Sequence, residues 1–399
     1  MFRDRKPRIL YLHGTCVPPP LDAKRNPFCW LSSYVEGDVL QDTWFRSEEG
    51  ALDYFGAENF PEYTSGNFKF HFKLPPPGRP STPKWKMALF FVREGLRLHK
   101  QKPFDCIVTY SHMMPALCGV LLKWLTGARL IVQIATSPHL SILTNRAKPT
   151  IKDRVLRIYS DVNLQFTLLS AERAHILAPN LLEAYPRLRN VKTVVFHEFV
   201  AASSIALGNP SVSNIILFVG MPWYLKGVDI LLNAFRRLEP EFPEARLQIL
   251  GHNPDNSELR ALAAGIKHVE FLKAQLQPKA LETISNAAVL VLPSRCEGMG
   301  RVLLEAMHAA VPVVGSDVGG IPHIIRDGEN GFLFPSENVE ALEAILRRLL
   351  ADPALRERLG KRGREMALEE FTEARYAKAF AEMVYASMGA DPPTGGRSE

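Results

Sequence analysis

The feature that most constrains the fold is a repeated alternation of short apolar runs and longer amphipathic segments. Runs such as Cys106–Tyr110, Ile215–Val219 and Arg246–Leu250 have the length of β-strands, and each precedes a segment with helical periodicity. Alternating strands and helices form parallel sheets, because a parallel strand pair needs a long crossover connection. A chain of 399 residues is too long for one ordinary core. We therefore predict an α/β protein with two doubly wound, Rossmann-like domains.

The N-terminal half follows this pattern less regularly. Its first strand is predicted at Arg8–Leu12, whereas the proline-rich residues 15–85 predict long loops with little regular structure. A basic amphipathic helix is predicted over Met87–Gln101, with a stripe formed by Leu89, Val92, Leu96 and His99. Later elements of this half are predicted at Pro115–Thr126, Ala128–Ile134, Val155–Ala171, His175–Ala178 and Val191–Phe196.

A small, polar segment over residues 201–213 predicts the linker between the domains. The strands predicted after it are Ile215–Val219, Arg246–Leu250, Val269–Leu272, Ala288–Leu292 and Val311–Val314. We therefore expect one domain over 1–205 and a second over 206–370. A helix over 371–388 is expected to pack back on the first domain, and the polar tail 389–399 is expected to be disordered.

Charge is divided unevenly along the chain. The formal net charge is +6, but residues 1–200 carry 27 Lys and Arg against 17 Asp and Glu, while the remainder carries 21 against 25. The basic half favours an anionic partner, such as a phosphate group, a lipid head group or a membrane surface. The alternative is an ordinary solvated surface. We expect no nucleic-acid partner.

Cysteine usage and hydropathy indicate where the protein resides. The five cysteines are odd in number and none are paired at metal-ligand spacing, which suggests neither a disulfide framework nor a zinc site. The apolar run near the N-terminus is too short for a signal peptide, and no segment has the length of a spanning helix. We expect a cytoplasmic protein, with peripheral contact to the cytoplasmic face of the membrane through its basic half.

The most informative segment begins where a predicted strand ends at Leu292. Gly298 and Gly300 lie in a turn that lets a ligand approach the backbone, and a helix is predicted to begin near Arg301. The unpaired amides at a helix start attract an anion such as a phosphate group.

Two carboxylates flank this anion site. Glu297 precedes the predicted helix and Glu305 lies within it, and carboxylates accept hydrogen bonds from the hydroxyls of sugars and ribose. The alternative is that Glu297 only caps the helix and Glu305 lies on its surface.

The same half contains further short motifs in a fixed order. They are Phe218-Val-Gly220, Lys226-Gly227-Val-Asp, Leu250-Gly251, Leu290-Val-Leu-Pro-Ser294, Pro312-Val-Val-Gly315, Gly319-Gly320-Ile-Pro and Asp327-Gly-Glu-Asn-Gly331. Together with the glutamate pair, they resemble retaining glycosyltransferase family 4, the glycosyl transferases group 1. The resemblance implies a GT-B fold, in which an N-terminal acceptor-binding domain and a C-terminal donor-binding domain face each other across a cleft.

The resemblance also implies roles for matching residues. Glu305 would accept hydrogen bonds from the ribose hydroxyls of the donor, Glu297 would bind hydroxyls of the donor sugar, and Lys226 would neutralise the departing diphosphate. Further donor contacts are expected from Gly298, Met299 and Gly300 against the sugar, from Arg301 and Val302 near the diphosphate, and from Gly251, Leu272 and Lys273 near the base.

Three residues of the N-terminal half are expected to face the same cleft. Gly14 would meet the donor phosphates, His112 would face the sugar, and His139 would lie on the acceptor side.

One cation that the family usually carries is replaced in this chain. Met221 occupies the position of an arginine that follows the first strand of the donor domain. We expect Arg301 to supply the missing positive charge, with Arg295 as a second candidate.

The resemblance therefore implies a hexosyltransferase that acts with retention. It would move a sugar from a UDP- or GDP-linked donor to an acceptor such as a lipid-linked or anionic glycan precursor, with Glu297, His112 and Lys226 as catalytic residues. No metal or other cofactor is expected, because the chain has no Asp-x-Asp pair. The alternatives are a nucleotide-sugar epimerase of the same fold and a non-catalytic subunit that retains it.

Overall fold

Two β-sheets, each covered by helices, make up the computed structural model of this chain. The structure describes residues 5–13, 26–42, 63–73, 82–111, 113–134, 150–179, 182, 191–201, 205–251, 257–275 and 277–392. The predicted fold class, two doubly wound α/β domains, is confirmed.

The first sheet contains eight strands: β1 (Arg8–His13), β2 (Glu36–Asp42), β3 (Thr64–Ser65), β4 (Phe68–Lys73), β5 (Cys106–Tyr110), β6 (Arg129–Ile134), β7 (Arg173–Ile176) and β8 (Thr193–Val195). Their order is β3-β4-β2-β1-β5-β6-β7-β8, and only β3 is antiparallel to its neighbour. The helices of this domain are α1 (Pro27–Leu31), α2 (Lys84–Gln101), α3 (Met114–Thr126) and α4 (Ile151–Ser170).

The second sheet is entirely parallel. Its strands are β9 (Ile215–Val219), β10 (Arg246–Leu250), β11 (Val269–Leu272), β12 (Val289–Leu292), β13 (Val313–Ser316) and β14 (Gly331–Phe334), in the order β11-β10-β9-β12-β13-β14. Its helices are α5 (Val228–Leu238), α6 (Ser257–Leu262), α7 (Gln277–Ser285), α8 (Arg301–His308), α9 (Ile321–Ile324), α10 (Val339–Ala351) and α11 (Pro353–Glu370), and α12 (Glu373–Ser387) follows them. The strand order reverses between β9 and β12, and ligands of open α/β sheets bind at such a reversal.

The last helix, α12, packs on the sheet of the first domain. Phe380, Met383 and Val384 belong to the same apolar cluster as Tyr11 and Phe28. The chain therefore crosses between the domains twice, once before β9 and once before α12. Helices α2, α3 and α4 cover the opposite face of the first sheet.

The prediction of loops over residues 15–85 is wrong for the described part of that range. The strands β2 and β4 lie there, parallel to β1 and to each other. Asp38 on β2 is a residue type that disfavours strands. In the fold, however, its buried carboxylate pairs with the Arg8 guanidinium, which compensates its charge, and lies within hydrogen-bond distance, 2.8 Å, of His71 Nε2.

Helix α2 is present, and its most buried residues lie outside the predicted stripe. Its buried residues are Met87, Phe91, Gly95 and Leu98. Of the predicted stripe, Leu89 is 47% exposed, whereas Val92 and Leu96 are partly buried against the core. Gly95 fits this arrangement, because a Cβ there would lie 2.9 Å from Leu122 Cδ1. Apolar side chains occur on both stripes, so periodicity alone does not identify the buried one.

The second domain has the alternating strands and helices that the sequence predicts. All five predicted strands are present, with ends shifted by at most two residues. The prediction lacks β14 and also α11, whose many charged residues obscure its apolar face.

A buried arginine fixes the segment that joins the domains. Arg356 on α11 is fully buried. Its guanidinium donates hydrogen bonds to the carbonyl oxygens of Pro210 at 2.7 Å, Ser211 at 3.0 Å and Ser213 at 3.2 Å. The segment predicted as a linker is therefore held against α11 over these residues.

We expect Arg356→Met to lower the free energy of unfolding by about 2–4 kcal/mol, because buried carbonyl groups would lose their donors. Denaturant unfolding followed by circular dichroism measures this change. Arg358→Met, at an exposed position of the same helix, is the matched control and should leave the transition unchanged. Equal stability of the two variants would contradict this role for Arg356.

Candidate functional site

The reversal of the second sheet brings a lysine and a glutamate together. Lys226 follows β9 and Glu297 follows β12, and Lys226 Nζ donates a hydrogen bond to Glu297 Oε2. Ser294 Oγ lies 3.4 Å from the same oxygen, and the Gly298 N–H donates to Glu297 Oε1 at 3.0 Å. The Glu297 side chain is 10% exposed, so these partners hold it in one orientation at the strand ends.

The loop after β9 contacts the loop after β12 directly. Gly227 has a φ of 71°, and a Cβ on it would lie 1.9 Å from the Pro293 carbonyl oxygen. Only glycine fits this close approach. Arg295 joins the same two loops, because its guanidinium donates to the Tyr224 carbonyl oxygen at 2.6 Å. It also pairs with both carboxylate oxygens of Asp229, at the start of α5, at 2.8 and 2.7 Å.

A third loop, after β13, contacts the Glu297 loop on the side away from the β9 loop. Gly319 has a φ of 56°, and a Cβ there would lie 1.9 Å from the Glu297 carbonyl oxygen. The Gly320 N–H donates to the Gly298 carbonyl oxygen at 2.8 Å. The backbone of the Glu297 loop is thus fixed before any ligand binds.

Helix α8 begins at the end of this loop. Its N-cap is Gly300, with a φ of 82°, and no described side chain caps it. The first amides of α8 and its dipole therefore suit an anion at the strand edge. Because Gly300 is the N-cap, the alternative that Glu297 caps this helix is wrong.

Glu305 lies in the second turn of α8, with a side chain that is 17% exposed. This position excludes the alternative of a freely solvated surface residue. Burial raises the pKa of Glu305, and the nearby charge of Arg301 opposes the increase. Arg301 Nε lies 3.8 Å from Glu305 Oε1, and the Arg301 side chain is 53% exposed. Arg301 is therefore accessible to an anion, whereas Arg295 is occupied by Asp229.

The first sheet presents its own reversal, between β1 and β5. The rings of His13 and Tyr110, at the ends of these strands, stack with centroids 5.1 Å apart. The Tyr110 hydroxyl donates to Glu198 Oε1 at 2.9 Å, and the Glu198 N–H contacts Met299 Sδ at 3.3 Å. Burial raises the pKa of Tyr110, and the Glu198 carboxylate raises it further. The ends of both sheets thus meet at the Glu297 loop.

Comparison with known proteins identifies the family. Residues 202–366 match the family model described as "Glycosyl transferases group 1". Alpha-maltose-1-phosphate synthase of Mycolicibacterium smegmatis is 31% identical over 272 residues, which cover 63% of this chain and 67% of that protein. This chain belongs to the glycosyl transferases group 1.

Other group 1 relatives match over a smaller share of their length. D-inositol 3-phosphate glycosyltransferase of Streptomyces bingchenggensis is 37% identical over 198 residues, which cover 47% of this chain and 43% of that protein. For the sulfoquinovosyl transferase of Arabidopsis thaliana, the matched share of that protein is 28%. This chain therefore spans about half the length of the curated relatives that it matches.

Solved structures share the fold of this group 1 protein. Sucrose-phosphate synthase from Thermosynechococcus elongatus superposes with a TM-score of 0.77 at 19% identity, covering 96% of this chain and all of that one. HepE from Anabaena, solved in complex with UDP-glucose, gives a TM-score of 0.68 at 14% identity and covers 95% of this chain and 99% of that one. These neighbours are GT-B glycosyltransferases, so the predicted GT-B fold is confirmed.

The structure places the expected donor residues of this group 1 protein at one sheet edge. Those nearest the reversal are Lys226, Glu297, Gly298, Met299, Gly300, Arg301, Val302 and Glu305. Gly251, Leu272 and Lys273 follow at the ends of β10 and β11, where the Gly251 N–H lies 3.4 Å from the Leu272 carbonyl oxygen. Gly14, His112 and His139 lie outside the described residues.

Two tyrosines beside residues 198 and 199, Tyr110 and Tyr376, are absent from the predicted site. Tyr110 ends β5 at the reversal of the first sheet, so its position on the strand was the available signal. Tyr376 belongs to α12, and its ring centroid lies 5.0 Å from that of Phe199. The sequence predicts that this helix packs on the first domain, but no local pattern indicates that Tyr376 is the side chain that meets Phe199. Within the described ranges, no group of three or more His, Cys, Asp or Glu side chains could hold a metal ion.

We expect Glu305→Gln to raise the Tm of the ligand-free protein near neutral pH. An acid whose pKa is raised by folding destabilises the folded state above that pKa, and the effect disappears as the pH falls towards the ordinary value of 4.5. The Tm difference between variant and wild type should therefore shrink with acidification. Scanning calorimetry across this range measures it, with the exposed Glu357→Gln as control. A variant that is less stable at neutral pH would contradict the burial of an ionised Glu305.

Proposed function

We propose that this protein transfers a sugar from a nucleoside diphosphate sugar, UDP- or GDP-linked, to an acceptor with retention of anomeric configuration. The observation that carries the proposal is the arrangement around the reversal of the second sheet. There, Lys226 and Glu297 form a partly buried pair beside the start of α8, which no described side chain caps, and Glu305 lies one turn further along. Relatives named as glycosyltransferases, and a structural neighbour solved with UDP-glucose, support this donor class.

Each group at this edge has a place along the donor. Glu305 accepts hydrogen bonds from the ribose hydroxyls, and the N-terminus of α8 receives the diphosphate. Glu297 binds hydroxyls of the transferred sugar. Arg301, exposed beside the start of α8, provides the positive charge that Met221 does not. The strand ends at Gly251, Leu272 and Lys273 border the base.

In the proposed reaction, the bond between the anomeric carbon and the diphosphate oxygen breaks, and its electron pair stays on the diphosphate. Lys226, Arg301 and the dipole of α8 stabilise that charge, while the sugar develops oxocarbenium character. The acceptor hydroxyl attacks from the same face and passes its proton to the departing phosphate. His112 is proposed to face the sugar during this step, and Gly14 to meet the donor phosphates.

The acceptor is proposed to be anionic or lipid-linked, with His139 on its side of the cleft. The support is the positive charge of residues 1–200, which attracts an anionic acceptor or the membrane that holds it. The protein is accordingly proposed to act at the cytoplasmic face of a membrane. No metal is needed in this scheme, because cationic side chains and a helix dipole stabilise the leaving group.

Nucleotide binding tests the donor site. The protein is screened against UDP, GDP, ADP and the monophosphate CMP, and we expect one of the diphosphates to raise the Tm. A ligand that binds only the folded state stabilises that state by roughly 2.7 kcal/mol at a hundredfold excess over Kd. Glu305→Ala should reduce this shift. Wild type should bind the 2′-deoxy form of this nucleotide more weakly than the ribose form, because Glu305 accepts a hydrogen bond from the ribose hydroxyl. Glu305→Ala should bind the two forms equally. No shift with any nucleotide, or unchanged discrimination in the variant, would contradict the assignment.

Turnover tests the role of Lys226. We expect Lys226→Met to lower kcat for donor cleavage by about a hundredfold or more, because the departing diphosphate loses a cation in a site with little water. Donor hydrolysis or transfer, followed by release of the nucleotide, measures the rate. Lys279→Met, on the exposed surface of α7, is the control. A loss confined to KM would show uniform binding of the donor rather than stabilisation of the leaving group.

A further inference from the structure

The exposed apolar side chains of this protein are concentrated on one side of the N-terminal domain. Among the described residues, eighteen large apolar side chains are exposed, and thirteen of these lie on α2, α3 and α4. Two are on α2, three on α3 and eight on α4. Scattered exposed apolar residues are ordinary, but a concentration on three adjacent helices indicates an interaction surface.

These three helices form one continuous layer. Their inner sides share a single apolar cluster on the first sheet, which includes Phe91, Leu122 and Leu164. Their outer sides also meet, because the Trp124 ring on α3 and the Phe166 ring on α4 contact each other edge to face, with centroids 6.0 Å apart. Trp124 is 64% exposed. We call this outer side the α2–α4 surface.

The first half of α4 contributes most to this surface. Ile151 is 81% exposed, and Val155 and Ile158 are each more than half exposed. A helix between parallel strands runs antiparallel to them, so the start of α4 lies towards the strand ends that border the cleft. The apolar side chains therefore extend from the rim of the cleft along the outside of the domain.

Positive charge accompanies the apolar residues. The sequences of α2, α3 and α4 contain nine Lys and Arg against three Asp and Glu. Lys152 and Arg154 are exposed beside Ile151, and neither forms an ion pair with a described residue. A surface that combines apolar and cationic side chains complements an anionic lipid bilayer, which offers acyl chains below phosphate groups.

A cavity of about 760 Å³ lies at the other end of α4 and has the same mixed character. Leu168, Leu169 and Val191 line it together with Arg129, Arg173 and Lys192. The Nε of Arg173 is buried without a hydrogen-bond partner among the described residues. Glu172 also lines the cavity and lies 3.7 Å from Arg129 Nη1, so Arg173 and Lys192 are the cations that the cavity offers to a phosphate-bearing head group next to the apolar surface.

We propose that the α2–α4 surface binds the face of an anionic lipid bilayer. Apolar side chains of α3 and α4 enter the interface between head groups and acyl chains, and the cations around them contact lipid phosphates. None of the described helices has both the length and the apolar character needed to cross a membrane, so contact is made at the surface. This docking would also bring the rim of the cleft to a lipid-linked acceptor, a consequence that rests on the proposed function.

Vesicle co-sedimentation of the full chain tests the surface. Wild type should bind vesicles of phosphatidylcholine mixed with phosphatidylglycerol, and bind pure phosphatidylcholine more weakly. The double variant Ile151→Gln and Ile158→Gln should lower binding by at least about tenfold, because two side chains no longer transfer from water. Lys152→Glu with Arg154→Glu should lower binding to the anionic vesicles by more than about tenfold and weaken its salt dependence.

The matched controls are Leu368→Gln and Lys361→Glu, which change exposed residues of α11 in the other domain and should bind like wild type. The proposal is overturned if wild type ignores anionic vesicles, or if both α4 variants bind unchanged. It is also overturned if sedimentation velocity without lipid shows a dimer that the Ile151→Gln and Ile158→Gln variant dissociates, since the surface would then bind a second copy.

Nucleotide binding separates this proposal from the proposed function. The α4 variants should keep the thermal shift with the nucleotide, whereas Glu305→Ala should lose that shift and still bind vesicles. Wild type that shows the nucleotide shift but does not bind anionic vesicles overturns the membrane surface alone. Wild type that binds the vesicles but shows no shift with any nucleotide overturns the donor site alone.

Discussion

The ion pair between Lys226 and Glu297 joins the two loops on which the candidate site depends. A carboxylate with little solvent is unfavourable without a partner, and Lys226 and the Gly298 amide supply partners to the partly buried Glu297 at the strand edge. Gly227 makes the approach possible by letting one loop lie against the other. In the proposed reaction, Lys226 also lies between two negative groups, the Glu297 carboxylate and the departing diphosphate, and reduces the repulsion between them.

The arrangement of strands explains why this pair is where it is. Parallel sheets expose the ends of their strands at one edge, and a reversal in strand order opens a crevice there. Both sheets of this protein have such a reversal, with Lys226 and Glu297 at one and His13 and Tyr110 at the other. The contact of Glu198 with Met299 connects the two edges. The burial of Glu305 fits the same picture, since a carboxylate that disfavours the folded state is retained where a ligand hydroxyl can reach it.

The sequence predicts the second domain better than the first for a physical reason. Its strands are short apolar runs, and most of the helices between them have one clear apolar face. Its glycines lie where loops contact each other. Local sequence patterns are therefore enough to predict this fold. In the first domain, β2 depends on the pairing of Asp38 with Arg8 and His71, which lie far apart in the chain. Likewise, the buried stripe of α2 depends on the fit of Gly95 against Leu122. Such contacts between distant segments have no signature in a local window.

The same distinction applies to the candidate site. The glutamate pair, the glycine turn and Lys226 lie in short motifs, and the structure brings them to one edge. The choice between Arg295 and Arg301 required the fold, because only there does Asp229 occupy Arg295. A crystal structure with the stabilising nucleoside diphosphate tests the account most directly. We predict that the diphosphate lies between Lys226 and the start of α8, with the ribose on Glu305. A nucleotide bound at the edge of the first sheet instead, with Lys226 and Glu305 untouched, would contradict the account.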